Sequence, residues 1–457
     1  MQRDSIDFGK EHIPTLFKKI LVPTLLGMVC MSAMTIIDGA FVGHAVGSNA
    51  LAAINIFCPL WLLMSGIGLM LGMGCSVVAS IHLAKDNVKA ARLNLTQTVI
   101  FGSFISLLIY LAVRIFEVQS ARMLGASDIL LPDVLVYQKW MSRSFISIFL
   151  QSVGLLIIRL DGSPKFSMVC LSLPAIINVV LDYVTLYILD WGLEGVAIAT
   201  MIGCTTGGIL VLFYLLFLSN KMKFYKQKLS ITSLKLSVRN IGYQVKLGFS
   251  ALLGELCIAM IMFVGNYVFL KYLKEDGVAA FSVACYILPF IFMTGNSIAQ
   301  SAQPIISFNY GAGQRDRVKQ ARDLSLYTAF GLALILTLAF IFFVKYIVMV
   351  FLPPTANAYQ IASAGLPFLA IGFIPFVVNV SYIGYCQSVE RPGIATVLSL
   401  CRGVLYLVPS FILMPQIAGT EGIWLAVPST EVLTLATAIL WAWYVKKSRY
   451  SKNTLNI

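Results

Sequence analysis

Asp38, Asp182, Glu255 and Glu431 lie inside stretches of chain that are otherwise apolar enough to cross a lipid bilayer. A charged side chain at bilayer depth costs about 2.5–3.5 kcal/mol on the gentlest scales, so it persists only where it faces a protein interior, a watery cavity or a cation. Asn178 and Asp182 stand four residues apart, which stacks them on one helical face. Thr200 follows in the next apolar stretch. If Asp38 joins them, two carboxylates, an amide oxygen and a hydroxyl supply oxygen ligands of the kind a hard cation such as Na⁺ takes. Without a cation, two neighbouring carboxylates repel, and the same cluster can take up a proton. The plainer reading is a network that satisfies polar groups in a helical bundle.

Pro23 precedes Asp38 on the same apolar stretch. A proline inside a helix removes a hydrogen bond and bends it, so a bend that responds to the charge state of Asp38 is a plausible switch. The plainer alternative is a proline near a helix start. Glu255, in Gly248-Phe-Ser-Ala-Leu-Leu-Gly-Glu255, is a candidate substrate contact or secondary proton site, or else a hydrogen-bond partner of a neighbouring helix. Glu431 reads as structural, with Arg402 as its buried counter-ion. Histidines are few, and none lies deep within an apolar stretch, which argues against a histidine proton relay. No Walker A, HExxH or GxSxG sequence is present, so ATP-driven transport and the familiar hydrolases lose support. No cofactor is expected beyond a coupling ion.

The scaffold around these residues is a membrane scaffold. Of 457 residues 59% are apolar and 12% charged, with mean hydropathy +0.86; soluble domains carry roughly 25% charge. The net charge of +13 comes from short Lys/Arg clusters between apolar runs. That pattern orients a membrane protein and gives no nucleic-acid patch. Nine cysteines are scattered singly, with no CxxC pair, and read as packing residues. The polar start, with Asp4, Asp7 and Glu11, predicts no cleavable leader.

A helical span needs about 20 apolar residues. The hydropathy pattern predicts twelve, near 17–40, 51–82, 95–116, 137–158, 166–189, 194–218, 245–270, 278–308, 323–348, 361–387, 393–415 and 421–445. The Lys/Arg clusters fall overwhelmingly on the side that holds both termini, which predicts cytoplasmic termini. Two motif pairs repeat in register. Lys85-Asp-Asn-Val-Lys-Ala-Ala-Arg92 matches Arg315-Asp-Arg-Val-Lys-Gln-Ala-Arg322, and Gly192-Leu-Glu-Gly-Val-Ala-Ile-Ala199 matches Gly419-Thr-Glu-Gly-Ile-Trp-Leu-Ala426. Each half has six spans, so the halves are parallel repeats. The expected fold class is therefore an all-α polytopic membrane protein with twelve transmembrane helices in two six-helix pseudo-symmetric lobes. Its domains are an N-terminal lobe over 1–218, a basic cytoplasmic linker over 219–244 and a C-terminal lobe over 245–457. The acids are not duplicated: at an offset of 227, Asp38 meets Gly265 and Asp182 meets Pro409. Cation coupling is expected in the first half.

Taken together, Pro23 before Asp38-Gly-Ala-Phe-Val-Gly, Asn178-Val-Val-Leu-Asp182, Gly192-Leu-Glu-Gly through Thr200 and the six-span repeat resemble the multidrug and toxic compound extrusion (MATE) family. The resemblance covers almost the whole chain and is closest to the DinF-like and MepA-like prokaryotic branch. It implies Na⁺- or H⁺-driven antiport of organic, often cationic, compounds by alternating access. It also implies a first-lobe cation site at Asp38, Asn178, Asp182 and Thr200. The span-ten acid of the NorM-like branch is missing, since 361–387 contains neither Asp nor Glu. The expected protein is a monomer in a prokaryotic inner (cytoplasmic) membrane that exchanges small organic cations for Na⁺ or H⁺. A lipid-linked oligosaccharide flippase of the same superfamily is the nearest alternative, and an intramembrane aspartyl enzyme a distant one.

Overall fold

A computed structural model describes residues 6–226 and 230–454. Among the described residues nine helices are long and apolar enough to cross a bilayer; Asn357–Ile371 and Phe373–Ser388, bent by 43° across Gly372, make a tenth span. The helix Ile231–Gly311 has 81 residues. At about 1.5 Å per residue it would measure roughly 120 Å against a hydrocarbon core of about 30 Å. Lys274, at φ 53° and ψ −147°, breaks it into two spans. Ala418 and Gly419 break Leu407–Thr454 in the same way, and its first part continues the apolar helix Pro392–Leu405.

Twelve spans result. In chain order they are Ile13–Ala45, Ser48–Ala84, Val88–Ile115, Leu131–Leu160, Pro164–Ile188, Gly192–Leu218, 231–273, 275–311, Arg315–Phe351, the bent pair 357–388, 392–417 and 420–445. They are called spans one to twelve below. Helical conformation in span seven already begins at Ile231, inside the stretch read from sequence as linker. Ser230 caps it, its Oγ accepting from Ser233 N at 3.1 Å. Of the basic residues in that linker, Lys228 lies outside the described residues.

The backbone carries the repeat as plainly as the motifs do. Left-handed φ values occur at Gly47 (106°), Asp86 (55°), Gly162 (87°) and Gly192 (56°). They recur at Lys274 (53°), Gly313 (73°), Glu390 (55°) and Gly419 (58°), displaced by 227, 227, 228 and 227 residues. Each pair closes the same inter-span turn in its half. Three of the eight positions hold a residue with a Cβ, at about 1–2 kcal/mol each. In three of the four pairs glycine holds the turn in one half and a residue with a Cβ holds it in the other.

Span three shows why these sequences make membrane helices. Ile100, Phe104, Leu108, Leu111 and Ile115, spaced by three and four, form one exposed face. Asn94, Thr98, Gly102 and Ser106, spaced by four, form the buried face. Apolar-out and polar-in is the arrangement lipid selects. The buried face is satisfied internally: Thr98 Oγ1 donates to Gln244 Oε1 at 2.5 Å, and Gln244 Nε2 donates to Asn94 Oδ1 at 2.9 Å. Spans two and seven meet backbone to backbone. A Cβ added at Gly74 would sit 2.0 Å from Gln244 O, and one at Gly248 would sit 1.8 Å from Met70 O. Such small-residue contacts are how helices pack tightly in lipid.

Two compact units emerge. The first comprises 1–255, 300–322 and 387–392; the second comprises 256–299, 323–386 and 393–457. The first is built on buried apolar layers around Leu95, Phe149, Ile157 and Val211 and around Phe57, Tyr137, Phe145 and Val196. The second contains an aromatic core in which Phe269 stacks on Phe281 at 4.4 Å, with Trp424 edge-on at 4.7 Å.

Within the first unit, Asp161 fastens the chain as it leaves span six. Its Oδ2 accepts from Tyr214 Oη (2.8 Å), Ser219 Oγ (3.1 Å) and Asn220 N (2.9 Å), and its Oδ1 from Lys221 N (2.8 Å) and Met222 N (3.0 Å). Arg92 holds the opposite edge, donating from Nε to Lys221 O at 2.7 Å and from Nη2 to Asn220 O at 3.3 Å. Asp161→Ala removes the shared acceptor and is expected to destabilise this segment by about 2 kcal/mol or more. Trypsin cleavage at Lys221, Lys223 or Lys226 should then proceed at least several-fold faster than in the unsubstituted protein.

Candidate functional site

Four of the residues singled out from sequence come together within the first unit. Asn178 and Asp182 are completely buried on span five, Thr200 is buried on span six, and Asp38 is half-buried on span one. The Asp38 and Asp182 carboxyl groups are close enough to share a proton, and Asn178 lies beside Asp182. Asn178 Nδ2 donates to Thr200 Oγ1 at 3.3 Å, and Thr200 in turn donates to Val196 O at 3.0 Å. Four-residue spacing stacks Asn178 and Asp182 on one face of span five, and span one brings Asp38 to that face.

What matters chemically is what the cluster lacks. Asp38 Oδ1, Asn178 Oδ1, Asp182 Oδ1 and Asp182 Oδ2 are all buried, and none receives a hydrogen bond. Asn178 Nδ2 gives a hydrogen to Thr200 Oγ1. Four acceptors without a donor are a deficit of positive charge, since buried polar atoms are otherwise almost always paired. A proton or a hard cation is the species that satisfies them.

The helix carrying these residues changes character just past them. Val184–Ile188 forms a π-helical turn, and Thr185 Oγ1 donates to Asp182 O at 3.3 Å. Such turns inside α-helices often mark functional positions. Pro23 lies within span one, which runs as one helix from Ile13 to Ala45.

Sequence reasoning passed over Tyr137. It is buried on span four, edge-on to Phe57 at 5.5 Å, and close enough to feel the charges of both Asp38 and Asp182. Its neighbours Gln138, Lys139 and Trp140 make the segment look like an interfacial belt, which concealed it. Glu255 takes another place. It is half-buried on span seven beside Gly66 of span two, and a Cβ at Gly66 would lie 3.6 Å from its own. The structure does not bring it against Asp38 or Asp182.

Glu431 lies in the second unit, in the setting its sequence suggested. Arg402 Nε donates to Glu431 Oε1 and Oε2, both at 2.9 Å, and Arg402 Nη2 lies 2.8 Å from Oε1. Asn379, which sequence did not flag, donates from Nδ2 to Glu431 Oε2 at 2.7 Å and to Glu431 O at 2.9 Å. The guanidinium also covers the Phe376 ring at 4.3 Å. Among the described residues no group of three or more His, Cys, Asp and Glu side chains is placed to hold a metal ion.

The MatE family model matches this chain twice, over 23–184 and again over 251–412. The chain belongs to the MatE family. The matches start 228 residues apart, between 23 and 251, within one residue of every displacement of the backbone turns and within two of both motif pairs. MatE proteins are membrane transporters, so the intramembrane enzyme falls away as an alternative. Curated relatives cover nearly full length. The FAD transporter of Shewanella oneidensis is 24% identical over 90% of each chain, and the multidrug export protein MepA of Staphylococcus saprophyticus is 23% identical over 92% of this chain and 91% of its own. A solved outward-facing multidrug resistance MATE transporter of the MOP superfamily superposes with TM-score 0.87 over 99% of both chains at 18% identity. The twelve-span, two-lobe fold is thus that of MATE transporters.

Proposed function

We propose that this MatE protein is a secondary antiporter that exports organic compounds in exchange for Na⁺ or H⁺. Asp38 and Asp182 are the coupling pair, and Asn178 and Thr200 complete the site. The observation that carries this reading is the set of four buried acceptor oxygens with no donor. They demand a positive species, and two carboxylates that close repel strongly without one. A bound ion would be held by Asp38, Asn178, Asp182 and Thr200, a donor set suited to a small hard cation and equally to a proton shared between the acids.

Coupling belongs to the first lobe in this proposal, because span ten lacks an acid and Glu431 in the second unit is already paired. Organic cations are the cargo that in-membrane acids favour, and Glu255 is the candidate cargo contact. Relatives named for drug export and for FAD transport cover the chain equally well, so the cargo must be decided by assay. In this proposal the protein is a monomer in a prokaryotic cytoplasmic membrane, both termini inside, with the basic linker on the inner leaflet.

Proteoliposomes loaded with ethidium, with Na⁺ and pH gradients imposed separately, test the proposal. Export should follow one gradient and collapse when that gradient is dissipated. If folded protein moves no ethidium under either gradient, cationic drug antiport is wrong and a lipid-linked cargo becomes the reading to pursue.

A further inference from the structure

The acceptors left without donors around Asp182 have a counterpart of opposite sign elsewhere in the first unit. Arg159, one residue before the end of span four, is 1% exposed. Its Nη1 donates to Gln300 Oε1 at 2.6 Å, whereas Nε and Nη2, both buried, donate to nothing. Among the described residues no carboxylate pairs with it. The acid nearest in sequence, Asp161, is committed to Tyr214 and the 219–222 segment.

The face of span eight that carries Gln300 is polar and uncharged. Gln303, three residues past Gln300 and so on the same helical face, accepts from Ser76 Oγ at 2.7 Å and donates to Ser307 Oγ at 3.2 Å. Ser307 Oγ donates to Ser388 O at 3.0 Å, and Gln387, next in sequence, holds another buried donor without a partner at Nε2. The Asp182 site is short of donors. Here donors are in excess.

The two free donors of Arg159 matter for their geometry as well as their number. Nε–H and the outer Nη2–H lie side by side on one edge of the guanidinium plane, the edge that receives two oxygens of a carboxylate or phosphate at once. A single bound water does not neutralise the charge, and a lone buried cation is strongly disfavoured. We propose that this edge of Arg159 is an oxyanion-binding site that takes the carboxylate or phosphate group of an anionic or zwitterionic cargo. The cargo assignment rests on the exporter reading; the site itself does not. It extends the substrate class beyond cations, and it uses a residue of span four that is no member of the Asp38, Asn178, Asp182 and Thr200 cluster.

The test is the apparent melting temperature of the purified full-length protein, in detergent free of anionic lipid, with pyrophosphate or acetate compared against chloride at equal ionic strength. Both oxyanions should raise it by several degrees relative to chloride. Arg159→Gln should abolish the difference, and Arg159→Lys, which keeps the charge but loses the fork, should retain only part of it. Gln300→Glu supplies an internal oxyanion, so it should raise the melting temperature by itself and erase the response to pyrophosphate. That variant keeps the test decisive should Arg159→Gln not fold.

A parallel arm in nanodiscs compares phosphatidylglycerol with phosphatidylcholine. An Arg159-dependent shift from phosphatidylglycerol without one from soluble pyrophosphate assigns the site to a lipid headgroup. A shift from soluble pyrophosphate assigns it to the cargo. Wild type that responds neither to soluble oxyanions nor to phosphatidylglycerol, or a response that survives both Arg159→Gln and Gln300→Glu, overturns the proposal. No gradient is involved, so that failure leaves the exporter reading standing; loss of export with an intact oxyanion response would do the reverse.

Discussion

Asp38→Asn and Asp182→Asn are each expected to yield a folded protein in which gradient-driven export falls to the leak of empty vesicles. The amide is nearly isosteric with the carboxylate, so packing around Asp182 survives. The charge does not. With both acids ionised, the site carries two negative charges in the wild type and one in either variant. At about 4 Å and an effective dielectric near 20, one such charge attracts a bound cation by about 4 kcal/mol, or roughly three orders of magnitude in affinity. A coupling ion bound a thousand times more weakly no longer drives transport at ordinary concentrations. Removing one of two neighbouring like charges also relieves repulsion, so neither variant should melt below the wild type in cation-free buffer. That second readout separates coupling from structure. A network that merely satisfies polar groups would lose stability on substitution and leave export driven. Wild-type accumulation in either variant would sink the assignment.

Much of this architecture was legible because the bilayer is an exacting solvent. Span three alternates between lipid and protein faces with a helical period, and its hydropathy alone located it. The acids were conspicuous for the same reason: Asp38 and Asp182 stand where few charges are tolerated, and the spacing of Asn178 and Asp182 forecast one face. Other features carried no such signal. The break at Lys274 places a residue with a Cβ at positive φ, and no residue preference announces that; only its partner Gly47 in the first half hints at the turn. Tyr137 resembles an interfacial aromatic until its contacts are known. Arg159 was the most misleading. An arginine at a span end ordinarily extends toward the interface, and Arg159 lies just past the span expected over 137–158, where orienting charges fall. The fold instead seals it beneath Gln300 of span eight, a long-range pairing that no local pattern encodes.

Arg402 and Glu431 should behave as a structural pair, and the proof lies in a double substitution. Both are within 2% of full burial, so removing either partner strands the other. Breaking a buried pair typically destabilises by about 3–5 kcal/mol, because a charge remains without its counter-ion. Arg402→Met and Glu431→Gln should therefore each lower the melting temperature markedly. Together they should bring stability back to within about 1 kcal/mol of wild type, since exchanging a buried pair for uncharged groups is often neutral. Glutamine at 431 keeps an oxygen for Asn379 Nδ2, and methionine at 402 keeps contact with the Phe376 ring, so the double variant leaves neither bare. The non-additivity is the signature, because two independent defects would add. The same variant weighs on mechanism. Arg402 sits in the π-helical turn Cys401–Leu405, a distortion that often accompanies function. If the double variant is stable and still exports against the gradient, the pair only holds the second lobe together. A stable double variant that no longer couples would move Glu431 into the transport cycle and end the confinement of coupling to the first lobe.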